Sequence, residues 1–122
     1  MKASMKTSLP KLVTTTLSTV ALLAAPFVAN AGTTTTTIAE ILLVDDPGLI
    51  YVYPTGGVQG APACHGSNGS YYSFKVSRPM SKQYLAALLA AQAKGATVRL
   101  YGAGACTDQS VSETLSYLSV LN

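Results

Sequence analysis

The chain has 122 residues, with eight Lys+Arg against five Asp+Glu, 48% hydrophobic residues and 11% charged ones. That length holds one domain, and a charged share below half of the roughly 25% usual in soluble domains excludes a disordered, charge-rich chain. The single long apolar stretch lies near the N-terminus, which excludes a polytopic membrane protein.

In chain order, Lys2, Lys6 and Lys11 make a positive start with no acidic residue before Glu40. An apolar stretch from Leu12 tightens into Val20-Ala21-Leu22-Leu23-Ala24-Ala25 and closes on the small-x-small site Ala29-Asn30-Ala31. This pattern predicts a secretory signal peptide over residues 1–31, cut after Ala31. The run Thr14-Thr15-Thr16 interrupts it too early for a membrane span of about 20 apolar residues. Residues 32–122 are then one exported domain, periplasmic or secreted from a bacterium, with no membrane span left. Without the leader, Lys75, Arg78, Lys82, Lys94 and Arg99 balance Glu40, Asp45, Asp46, Asp108 and Glu113. A nucleic-acid binder needs clustered cations to neutralise phosphates, so nucleic acid is excluded as a partner.

Ile38-Ala39-Glu40-Ile41-Leu42-Leu43-Val44 is rich in β-branched residues and reads as a first strand. The preceding run Thr33 to Thr37 either extends it or frays as an arm. Asp45-Asp46-Pro47-Gly48 is a turn, since Pro presets φ and Gly accepts a positive one. Leu49 to Tyr53 is the return leg of a hairpin, stopped by Pro54. Residues 55–70 are a Gly/Pro-rich loop. Tyr71 to Ser77 alternates as a third strand, Tyr72, Phe74 and Val76 on one face and Tyr71, Ser73 and Lys75 on the other. Pro79 is expected to open a helix over Met80 to Lys94, a segment without Gly, Pro or β-branched residues, and Gly95 to stop it. Thr97 to Tyr101 is a fourth strand, Gly102 to Asp108 a loop, and Thr114 to Leu121 a fifth strand.

Cys64 and Cys106 are the two cysteines. In an exported chain an even count reads as a disulfide, and one pair allows one connectivity. His65 lies beside Cys64, but two Cys and one His give three ligands at most, without C-x-x-C spacing. No metal and no cofactor are expected.

The order β-β-β-α-β-β, mostly β with one helix, is that of an OB-fold, a small five-stranded, partly open barrel. With Cys64, the strand around Tyr72-Ser73-Phe74, the run from Tyr84 to Gly95, Val98, Tyr101 and Cys106, the chain resembles the OB-fold B subunits of bacterial ring-forming toxins. The subtilase-cytotoxin type is nearest, together with small secreted bacterial proteins sharing this pattern. The resemblance implies a secreted OB-fold with a disulfide, assembly into a homo-oligomeric ring (a pentamer) and glycan binding. No sugar-binding motif of that family aligns residue by residue.

Tyr51, Tyr53 and Tyr72, each an apolar ring with a polar tip, are ligand-binding candidates, as is His65 in its loop. From Tyr84 to Ala91 no residue is charged, so the helix is apolar beyond one stripe. Tyr84, Leu85, Leu88 and Leu89 are therefore interface candidates. No nucleophile has the base and orienter that a triad requires, so no enzyme and no catalytic residue is expected. The expectation is an exported binding module for a glycan or protein surface. The alternative is a structural or assembly protein of the periplasm or cell surface with no small ligand.

Overall fold

A computed structural model describes residues 10–11, 31–66 and 70–122. Residues 1–9 and 12–30, most of the expected signal peptide, and the loop residues 67–69 lie outside the described residues. Among the described residues no helix is long and apolar enough to cross a membrane.

The Thr-rich run and the apolar run after it both form strands, and they take different partners. β1 (Thr33–Thr36) pairs antiparallel with β5 (Val98–Gly102), which pairs antiparallel with β6 (Leu115–Val120). β2 (Ile38–Val44) pairs with β3 (Leu49–Pro54), and β3 with β4 (Tyr72–Lys75), again antiparallel. Only Thr37 separates β1 from β2, and a register shift between Ile38 and Glu40 marks a bulge that redirects the strand. The far margins meet through one parallel bridge, Ser73 to Thr114. The fold is thus mostly β with one helix, as expected, but has six strands in two three-stranded sheets and not five strands in one barrel. The extra strand arises where the bulge lets one run of chain serve both sheets.

The hairpin turn at residues 45–48 forms as its composition predicts, with Gly48 at φ 84°. α1 (Ser81–Lys94) begins at Ser81, not at a helical Pro79. Pro79 lies in the preceding turn, where the Ser81 N–H donates to the Arg78 carbonyl (3.1 Å) and the Ser81 hydroxyl to the Val76 carbonyl (2.6 Å). The helix ends at left-handed Gly95 (φ 65°), with the N–H groups of Gly95 and Ala96 donating to the Gln92 and Ala91 carbonyls. That is a Schellman closure, which glycine makes without a Cβ penalty.

The core lies between the sheets and under α1. Ile38, Ile50, Val52, Tyr72, Phe74, Leu88, Ala91, Val98, Leu100 and Leu115 form it, with Tyr84, Leu85 and Leu118 packed against them. The buried stripe of α1 is narrow (Ser81, Leu88, Ala91), and its outward face mixes Lys82, Gln83 and Lys94 with Ala86, Ala90, Ala93 and Leu89, the last 48% exposed. Val76, expected on the face of Tyr72 and Phe74, instead lies past the end of β4 in the turn, 51% exposed. Cys64 and Cys106 are joined, as the compartment argument predicts, with Cα atoms 6.0 Å apart and a separation of 42 positions in sequence. The bond ties the loop after β3 to the loop after β5.

Candidate functional site

Alternation in β3 buries Leu49, Ile50, Val52 and Pro54 and turns Tyr51 and Tyr53 outward. Tyr71, just before β4, reaches the same face. Its ring stacks on Tyr51 (centroids 4.6 Å apart, planes at 23°) and tilts against Tyr53 (5.0 Å, 43°). Gln109, from the long connection between β5 and β6, holds two of the three hydroxyls. Its Nε2 donates to Tyr51 Oη (2.6 Å), and its Oε1 accepts from Tyr71 Oη (2.9 Å) and Ser112 Oγ (2.6 Å). Ser112 Oγ in turn lies 2.6 Å from Ser73 Oγ, both residues fully buried.

The result is a half-buried aromatic platform whose third hydroxyl, that of Tyr53, Gln109 does not hold. Glu40 pairs with Tyr53 across β2 and β3. Burial first, then the neighbouring Tyr71, Glu40 and Tyr51, push the Tyr53 phenol above its ordinary range, so it stays a neutral donor. A row of ring faces edged by hydroxyls, an amide and a carboxylate can stack on a planar or pyranose-like apolar surface and hydrogen-bond its rim.

The other expected site residues lie elsewhere. Tyr72 is fully buried, its hydroxyl 2.8 Å from Thr34 Oγ1, and burial pushes its phenol up to about 12. It is a core residue and presents nothing to a ligand, because Tyr72 lies on the inward parity of β4 and Tyr71 on the outward. His65 is half-buried and accepts the Glu113 backbone N–H at Nδ1 (2.8 Å). With the Gly66 N–H to Val111 carbonyl bond (2.9 Å) it fastens its loop to the segment before β6.

Among the interface candidates, Leu88 is fully buried and packs inside its own chain. Tyr84 turns its edge to Phe74 (5.7 Å), carries the Arg78 guanidinium over its ring (5.4 Å) and donates to the Ser116 carbonyl (2.9 Å). Leu85 lines an apolar hollow of about 290 Å³ with Leu43, Leu49, Ile50 and Val76, of which Leu43 is 62% exposed. Leu89 remains exposed.

Of the carboxylates, Asp45 and Asp46 are exposed in the hairpin turn, and Asp108 faces Arg78 at 3.8 Å and accepts the Lys75 N–H. Glu113 is fully buried. Its Oε2 accepts the N–H groups of Gly104 (3.0 Å) and Gly32 (3.4 Å), while Oε1 has no hydrogen-bond partner among the described residues. Desolvation pushes this carboxyl above the usual range, an effect that the two N–H groups and nearby His65 partly offset. Among the described residues no group of three or more His, Cys, Asp or Glu is placed to hold a metal.

A second tyrosine pair lies on the outer face of the other sheet. Tyr101 and Tyr117 are register partners across β5 and β6 and stack at 4.1 Å and 15°. Sequence reasoning places Tyr71 on the face opposite Tyr72 but gives no sign of Gln109, one polar residue among several in a loop that only the tertiary fold brings to the platform. No protein-family model, curated protein or solved structure matches this chain.

Proposed function

We propose that this chain is an exported, non-enzymatic binding module, built on an OB-like barrel, that takes a glycan or another flat, hydroxyl-rimmed surface on the Tyr51–Tyr71–Tyr53 platform. The barrel reading is supported by the bridge from Ser73 in β4 to Thr114, just before β6, which joins the margins of the two three-stranded sheets, and by Thr37, which returns β1 to β2. The carboxylates favour a binder over an enzyme, being spread between an exposed turn, an ion pair and a buried pocket.

The platform itself carries the proposal: aromatic rings locked by Gln109 are a preorganised surface, which lowers the ordering cost of binding. The experiment is a glycan array probed with the exported protein. Saturable retention is expected, and Tyr53→Ala is expected to abolish it while leaving the melting temperature nearly unchanged. Retention that survives this substitution removes the platform from the site.

A second reading, assembly with copies of itself, ring-like or otherwise, is favoured by Leu43, Val76 and Leu89, each about half exposed or more. Light scattering on the exported protein decides it, a monomeric mass ending this reading and a multiple supporting it.

A further inference from the structure

Gly32 and Glu113 stand 81 positions apart in sequence and meet in the interior. The Gly32 nitrogen points at the Glu113 carboxylate from 3.4 Å. The pocket around that carboxylate is shaped by glycines. A Cβ on Gly102 would lie 2.1 Å from the carboxyl carbon, and one on Gly32 would lie 2.4 Å from the Gln59 carbonyl oxygen. Gly104 supplies the third side through its N–H. Inside this pocket Oε1 has no hydrogen-bond partner among the described residues, and as a backbone amide Gly32 offers one proton only. An ionised carboxylate buried with so few donors is costly. The small-x-small motif Ala29-Asn30-Ala31 ends on the residue before Gly32, and Ala31 is exposed while Gly32 is buried.

We propose that the Ala31–Gly32 bond is the processing site of this chain, and that the ammonium group created on Gly32 is the counter-ion of Glu113. This rests on the export reading above. A leader peptidase hydrolyses the amide with one water: the C–N bond breaks, Ala31 leaves with a carboxylate, and the Gly32 nitrogen takes up protons to become an ammonium. Because Gly32 is buried in the fold, the cut precedes folding. The new group has three donors where the amide had one, enough to serve both carboxylate oxygens. The titratable groups around the pair are His65 and Tyr72, both of which interact electrostatically with Glu113. The Gly32 ammonium is the positive group placed directly against the carboxylate, at the position from which the Gly32 nitrogen already points at Oε2. Processing thus becomes part of the fold: removing the leader creates the cation that makes an ionised Glu113 tolerable.

The test begins with export of the full chain from a Gram-negative host and determination of the N-terminus of the product. Gly32 as first residue is expected. An exported product starting at any other residue overturns the proposal and leaves export standing, whereas an uncut chain retained in the cytoplasm overturns both.

The pairing is read by amine labelling of the exported product at pH 7.5. A carboxylate partner raises the α-amine above its ordinary value of about 8, and each unit of that rise cuts the reactive neutral amine about tenfold. The folded protein is therefore expected to label at least about tenfold more slowly than the denatured protein; equal rates overturn the pairing. A third readout inserts one alanine between Ala31 and Gly32, so that the same cut leaves the ammonium one residue too far out. Its melting temperature is expected to fall by about 5 °C or more. Glu113→Gln lowers the melting temperature of the Gly32-first protein but leaves unchanged or raises that of the extended one. The same effect in both backgrounds overturns the proposal. Should Glu113→Gln fail to fold, the labelling and insertion results decide.

Discussion

The two outer sheet faces each carry a tyrosine stack, and the stacks are held by different means. Tyr101 and Tyr117 meet because they are register partners on neighbouring strands, an arrangement that needs only β5 and β6. Tyr51, Tyr53 and Tyr71 come from β3 and the approach to β4, and the Gln109 amide between β5 and β6 fixes two of their hydroxyls. The first stack is local and 53% exposed at Tyr117. The second is tertiary, half-buried and braced from behind by Ser112 and Ser73. A ligand surface gains from the second kind of construction, because rings that cannot rotate lose little freedom on binding.

Opening the disulfide should break this contrast most strongly. With Cys64 and Cys106 replaced by alanine, the chain-entropy model gives a loss of about 4 kcal/mol for a loop of this length. Chemical denaturation checks it. The expected local consequence is that the segment carrying Gln109 loosens and the Tyr51–Tyr71 stack broadens in NMR spectra, while Tyr101 and Tyr117 keep their contacts.

Tyr72 sharpens the comparison from inside the core. Its folded pKa is raised from 10.0 to about 12 by burial, with the Thr34 hydrogen bond opposing and Glu113 adding to the rise. A raised pKa contributes stability that is complete below pH 10 and is lost as pH climbs through about 12, in total roughly 3 kcal/mol. Melts between these pH values should show a steep decline that Tyr72→Phe flattens. Absorbance at the tyrosinate band should show this phenol ionising after those of the outer faces.

Gln109→Ala leaves the Tyr51 and Tyr71 hydroxyls without their common partner, at an expected cost of about 1–2 kcal/mol, and should weaken glycan retention while leaving Tyr101 and Tyr117 unaffected. Smallest is Tyr117→Ala. It removes one exposed cross-strand stack, with an expected cost of about 0.5–1 kcal/mol and no change in retention. Retention lost with Tyr117 and kept without Gln109 would exchange the roles assigned to the two faces.

Much of the local structure is legible in the residues themselves. Asp45-Asp46-Pro47-Gly48 specifies its turn, the Gly- and Pro-free segment from Ser81 to Lys94 its helix, and Gly95 the helix end, because each depends on backbone preferences that act within a few positions. Alternation puts Tyr51 and Tyr53 together and sets Tyr72 opposite Tyr71. It does not say which face of β4 meets the core, and Ser73 is buried too, because Ser112 and Thr114 cover it. The partner change at Thr37 carries no turn signal, because threonine and the Ile38 that follows it suit one continuous strand as well as two. Leu88 and Leu89 are both leucines in an apolar helix, and only packing separates the fully buried one from the exposed one. Glu113 reads as one more loop carboxylate until Gly102 and Gly104 from the end of β5 and the distant Gly32 close around it.

The strand shared through Thr37 also orders the assembly of the molecule in time. β2 finds β3 across a four-residue turn, a short loop closure. β1 must wait for β5, with Thr33 pairing Tyr101 and Thr36 pairing Val98 more than sixty positions away. Chains emerge from the ribosome N-terminus first, so the first strand made is among the last to be placed. The sheet bearing the tyrosine platform can start from local contacts, whereas its neighbour depends on long-range pairing, the slower process. Until β5 arrives, the threonine run offers an unpaired edge, and its hydroxyl-rich, apolar-poor composition keeps that waiting edge a poor template for aggregation.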